Sequence, residues 1–175
     1  MFPLYKSIIL VLGRSNNLFG SKKRIELNTL ASEFLKAHTF LGQYPNFARN
    51  EFIICLLQLI ETYPILRETS LDSLFLFCEA VSDSKDDSND SIVDALLDSS
   101  LTNDESVKDA CFRSLGLLNI SDKITKFAVY VWIARFDSTE NIRLEALRLW
   151  ELWNSEYIIS KDEISDIVSL ICIFY

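Results

Sequence analysis

Two stretches of the chain repeat one pattern at a fixed distance. Asp104-Glu105-Ser106-Val107-Lys108-Asp109-Ala110-Cys111-Phe112-Arg113 is echoed by Thr139-Glu140-Asn141-Ile142-Arg143-Leu144-Glu145-Ala146-Leu147-Arg148. Val107 aligns with Ile142, Lys108 with Arg143, Cys111 with Ala146, Phe112 with Leu147 and Arg113 with Arg148, always 35 residues apart. Apolar residues in both stretches recur at helical spacing, so each opens a helix. A repeat of this period marks an array of stacked helix pairs, in which each unit hides its apolar side against the next. Arrays of this kind present surfaces and rarely carry out reactions.

The rest of the chain fits an all-α reading. Apolar residues make up 49% of it, against only 4 Gly and 3 Pro, so core material is ample and helix breakers are few. Helical periodicity predicts helices over 1–12, 28–41, from Pro45 to near Tyr63, and over 71–81, 92–101, 105–118, 122–136 and 140–153. Another helix begins at Asp162. Asn28 caps the second helix, with Leu30, Phe34, Ala37 and Leu41 on one side. Residues 18–27, with Gly20 and the basic Lys22-Lys23-Arg24, read as a loop whose cations are solvated. Residues 127–133 are rich in β-branched and aromatic side chains and taken alone would pass as a strand. Ile124, Phe127, Val131 and Ala134 nevertheless keep one helical face.

These elements divide the chain into an irregular set of helical repeats over 1–81, an acidic flexible loop over 82–91, two regular repeats over 92–160, and the start of an uncapped helix over 161–175. The run from Ser82 to Ser91 has the composition of a solvated loop. Repeat arrays end in polar capping faces, but this chain opens on Met1-Phe2-Pro3-Leu4-Tyr5 and closes on Leu170-Ile171-Cys172-Ile173-Phe174-Tyr175. It therefore reads as a piece of a longer array.

Composition also argues against several functions. Residues 1–63 carry seven Lys/Arg against four Asp/Glu, a balance of +3; residues 64–175 carry ten against twenty-one, a balance of −11. The acidic part repels phosphates, which argues against direct nucleic-acid binding there. Cys55, Cys78, Cys111 and Cys172 are scattered among apolar neighbours, without a C-x-x-C pair, and read as buried small hydrophobes in a reducing compartment. His38 is the single histidine, a poor basis for a metal centre or His-dependent catalysis. No nucleophile elbow, phosphate-binding loop or zinc-protease motif occurs, so no catalytic residue and no cofactor is expected. The short apolar run at 7–12 lacks a signal-peptide cleavage site. No segment has the ~20 apolar residues of a membrane span, and the chain reads as soluble.

An acid in the turn, then Val or Ile, a basic residue, and small and apolar residues four and five positions on resemble the HEAT repeat. Asp104 with Val107-Lys108 and Asp137 with Ile142-Arg143 follow this pattern, the second turn being two residues longer. The expected repeat core is Val107, Cys111, Phe112, Ile142, Ala146, Leu147 and Trp150. Cys111 and Ala146 are small so that the first helix of the unit can approach. Trp132, Trp150 and Trp153 read as part of an apolar stripe rather than a ligand cage. The resemblance further implies a polar ladder, in which Asp104 or Asp137 meets Lys108 or Arg143 across the stack.

The second unit, from Val131-Trp132-Ile133-Ala134-Arg135-Phe136-Asp137 through Ala146, Leu147, Leu149 and Trp150, is similar to repeats of one family. This is the large translational activator of the general amino-acid control pathway, related to the HEAT region of fungal elongation factor three. Membership would imply a cytoplasmic, noncatalytic scaffold that lies along ribosomes and promotes activation of the initiation factor two kinase during amino-acid starvation. Its partners would be proteins, including the ribosome and a regulatory kinase, with no small-molecule substrate. The alternatives are a HEAT adaptor in nuclear transport or chromosome organisation, and a small α-helical ligand-binding protein.

Overall fold

The computed structural model describes residues 7, 11, 21–39, 49–82, 89–118, 124–156, 165, 168, 169 and 172. Among them every regular element is helical. In chain order these are α1 (Ser21–Thr39), α2 (Arg49–Thr62), a 3-10 turn (Pro64–Leu66), α3 (Arg67–Ser82), α4 (Asn89–Ser99), α5 (Glu105–Leu115), α6 (Ile124–Ala134) and α7 (Glu140–Glu156). The ambiguous stretch 127–133 is helix. Its Phe127, Ala128, Val131 and Ala134 are buried along one side, and that continuous stripe overrides strand propensity. The helices expected at the two chain ends lie largely outside the described residues, as does most of the acidic loop.

Each helix packs against its near neighbours in sequence. Consecutive partners α2 with α3, α4 with α5, and α6 with α7 lie together. The first helices α2 and α4 also pack, as do the second helices α3 with α5 and α5 with α7, while α1 lies on α3.

Burial repeats from pair to pair. Among first helices, Phe52, Ile53 and Leu56 of α2 correspond to Ile92, Val93 and Leu96 of α4, and to Phe127, Ala128 and Val131 of α6. All nine are buried. Among second helices, Ser70, Ser73, Leu74 and Phe77 of α3 correspond to Val107, Ala110, Cys111 and Ser114 of α5, again all buried. Val107, Cys111 and Ser114 correspond in turn to the buried Ile142, Ala146 and Leu149 of α7. Small residues at the crossing positions let the second helices approach closely. Gly116, just past α5, serves the same end, since a Cβ there would crowd Leu149 Cδ2 at 3.0 Å and collide with the Arg148 guanidinium.

Six sequence expectations need correction. Residues 21–27 are helix, not loop, because Lys, Arg, Glu and Leu are good helix formers and the turn they make needs no burial. Asn28 consequently lies inside α1 and caps nothing. The buried side of α1 is Ala31, Leu35 and Thr39, while Leu30 is 66% exposed, so the expected stripe was rotated by about one position. The acidic loop is shorter than expected, since Ser82 ends α3 and residues 89–91 begin α4.

The last two corrections concern side chains. Cys172 is exposed, unlike Cys55, Cys78 and Cys111. Leu147 does not join the core and is 37% exposed. Five residues beyond Ile142 at 100° per residue, it points about 140° away from the Ile142–Ala146–Leu149 stripe. Its counterpart Phe112 is buried and lines a pocket together with Tyr130, Ile133 and Ala134 of α6. Among the described residues no helix pair follows α7.

This difference sets a test. Ile142→Asp places a carboxylate in a sealed core and should cost about 4 kcal/mol or more. Leu147→Asp should cost about 1 kcal/mol or less. Urea denaturation of both variants separates them, and equal losses would show that the register of α7 is wrong.

Candidate interaction site

The turns that join first and second helices within a pair hold the most organised polar groups. Asp104 caps α5, its Oδ1 accepting from the Val107 N–H at 2.9 Å, while its own N–H donates to Thr102 Oγ1 at 3.2 Å. Such a cap satisfies one of the helix's orphan amides and is worth about 1 kcal/mol. Asp137, in the next turn, uses one carboxylate oxygen to accept from the Thr139 N–H at 2.9 Å. Its other oxygen accepts from Lys108 Nζ at 2.7 Å.

The Lys108–Asp137 bond joins two successive helix pairs. Both side chains are largely shielded, at 21% and 12% exposure. Burial alone would push the Asp137 carboxyl up, but the Lys108 ammonium and the Thr139 amide outweigh it and hold the group below its ordinary value. Of the four expected ladder residues, then, Lys108 and Asp137 meet. Arg143 turns back on its own turn, donating through Nη1 to the carbonyls of Asp137 and Ser138 at 2.8 Å each. Asp104 serves its own helix. On α3, the position that matches Lys108 is Leu71, which has no charge to offer it.

A second link between pairs gave no repeat signal in the sequence. Lys126 of α6 donates to Asp94 at 3.3 Å and lies 3.0 Å from Asp98, both on α4. Burial lowers the affinity of Lys126 for its proton, yet the two carboxylates more than compensate and hold its ammonium above the ordinary value. These charges are more exposed, so the link adds little stability. The i, i+4 spacing of Asp94 and Asp98 was the available clue.

Trp132 and Trp150 are half-buried and meet edge to face, with centroids 5.1 Å apart. The Arg135 guanidinium lies 4.5 Å from the Trp132 centroid and 5.5 Å from that of Trp150. The Nε–H of Arg135 is buried and has no hydrogen-bond partner. Aromatic faces stabilise this cation in place of a carboxylate, so a protein cation already lies against both rings. Burial pushes the thiols of Cys55, Cys78 and Cys111 up to about 12, which leaves them protonated and unreactive at neutral pH.

Beside the Lys108–Asp137 bond lies a pocket of about 190 Å³. The turn after α4 forms one wall through Ser100, Leu101, Thr102 and Asn103. Tyr130, Ile133 and Ala134 of α6 form the other, and Phe112 lines it from α5. The cavity exists because α4 and α6 do not pack closely, in contrast to α2 and α4. Sequence reasoning missed Tyr130 and the residues of the 100–103 turn, which carry no motif. Among the described residues no group of three metal-ligating side chains occurs, and no helix is long and apolar enough to cross a membrane. No protein family, no curated protein and no solved structure matches the chain.

The depressed Asp137 carboxyl predicts a pH dependence. Its contribution to stability is present above the unfolded value of about 3.9 and is lost as pH falls through the lower folded value. Asp137→Asn should therefore lower the melting temperature by roughly 3–6 °C at pH 7, for a loss of about 1–2 kcal/mol. The gap should narrow as pH drops below about 4. A gap that stays constant from pH 7 to pH 3 would rule out a charged Asp137 as its source.

Proposed function

We propose that this chain is a segment of a HEAT-type α-solenoid that serves as a noncatalytic protein–protein scaffold. The carrying observation is that three successive helix pairs bury corresponding positions, and that Lys108 reaches forward from one pair to the turn acid of the next. Stacked pairs of this kind expose a long edge of turns and a broad flank, both suited to holding other proteins. The acidic balance of residues 64–175 favours protein surfaces over nucleic-acid phosphates.

Within that class, the resemblance of the 131–150 region to the large translational activator favours a cytoplasmic role alongside ribosomes, in which the array supports kinase signalling during amino-acid starvation. The Leu-Trp pair near the end of α7 fits that unit: Leu149 is buried beneath α5, and Trp150 flanks the same stripe. Protein contacts would then carry the association with ribosomes.

Sedimentation of a tagged chain in a eukaryotic lysate at low salt tests the translational role. The reading expects the chain in monosome and polysome fractions, with a shift to the subunit fractions when ribosomes are dissociated. A chain that stays at the top of the gradient contradicts it.

A further inference from the structure

The pocket between the 100–103 turn and α6 has an unusual combination of size, lining and surroundings. At about 190 Å³ it falls below the roughly 300–1,000 Å³ of pockets that enclose a small organic ligand. It does have room for one side chain of another polypeptide. Leu101, Phe112, Ile133 and Ala134 give it apolar walls, and Leu101 stands mostly exposed at the mouth. An apolar side chain entering there would cover that leucine as well as the cavity floor.

The charges around the opening are unbalanced. Asp94 and Asp98 share the single ammonium of Lys126, whose Nζ lies 5.9 Å from the centroid of the pocket-lining Tyr130. Asp104 and the exposed Glu105 follow directly on Asn103. Lys108 is the cation in the lining, and Asp137 already holds it. Arg143 is turned onto the carbonyls behind Asp137. Five carboxylates thus face three cations, each of which has a partner.

We infer that this pocket is a docking site for a basic polypeptide segment, which inserts one apolar side chain between Leu101 and Ala134 while its flanking lysines or arginines meet Asp94, Asp98, Asp104 and Glu105. Apolar burial sets the position of the segment, and the carboxylates select its charge. An acidic segment would meet a rim of net negative charge, and phosphate-bearing ligands would be repelled by it. The inference rests on the scaffold reading in one respect, that the occupant is a polypeptide. It does not depend on the translational assignment.

The test is a titration of the ¹⁵N-labelled chain, followed by amide chemical shifts. The probe is a capped pentapeptide with a central leucine and two lysines on either side. Two controls replace the leucine by serine, or the four lysines by glutamates. Saturable shifts should concentrate at residues 100–103, Lys108 and Tyr130. The leucine peptide should bind at least about fivefold more tightly than the serine peptide, as expected for burial of one apolar side chain. The glutamate peptide should not bind. Ala134→Leu fills the cavity from within and should abolish the preference for leucine. Leu101→Ser, at an exposed position that leaves folding intact, should weaken that preference with an unchanged melting temperature.

Equal binding of the leucine and serine peptides would overturn the inference, as would binding of the glutamate peptide, or shifts spread evenly over the acidic surface. If the chain fails to sediment with ribosomes while the pocket shifts remain, only the translational assignment falls.

Discussion

The enclosure of α5 constrains everything around it. This eleven-residue helix packs against α2, α3, α4 and α7, and its Phe112 turns toward α6. Six of its residues are buried, three of them the small Ala110, Cys111 and Ser114. A helix covered on so many sides has no room for long side chains where its neighbours cross, because interiors are packed to near-crystalline density. Glu105 and Arg113 are left to face solvent, and Arg113 lies 4.5 Å over the Phe75 ring of α3. The positions of α3 and α7 on either side of α5 follow from these contacts.

Charge acts on top of this packing. The apolar contacts hold the pairs together, and the Lys108–Asp137 bond fixes how far one pair slides along the next. This shielded ion pair adds a modest increment to total stability, and a slip of one residue would strand its carboxylate without its cation. The Asp94–Lys126–Asp98 cluster connects the same two units on the side of their first helices, where α4 and α6 make little close contact. The pocket beside Lys108 is the space that this sparse contact leaves. A single feature of packing thus yields both the polar link and the cavity.

Much of this architecture was legible in the sequence. Helical periodicity located α2 through α7, and the 35-residue echo matched Val107 with Ile142 and Cys111 with Ala146, which occupy equivalent buried places. The earlier unit reads as irregular and carries no such echo because α3 repeats only the burial pattern. Ser70 and Leu71 stand where α5 has Val107 and Lys108, so neither the apolar nor the basic marker survives. Leu147 misled because its aligned partner Phe112 is buried beside a pocket shared with α6, a setting given by the assembly and not by the helix itself. The pocket was invisible for a related reason. Thr102, Asn103, Tyr130 and Ile133 come together only once α4 and α6 have been placed apart, and no local pattern encodes that distance.

The proposed arrangement of helix pairs in a row can be tested directly by the distance between α3 and α7. Spin labels at Glu79→Cys and Glu151→Cys occupy exposed positions on the two helices. Cys172→Ser removes the exposed native thiol, and the remaining three are buried. In a row, α5 separates α3 from α7, and the two lie about two interhelical spacings apart, on the order of 16–20 Å between axes. Pulsed dipolar spectroscopy should therefore give a narrow distribution centred at about 20 Å or beyond once the label arms are included. A distribution centred near a single spacing of about 10 Å would place α3 directly against α7, and would contradict the stacked arrangement.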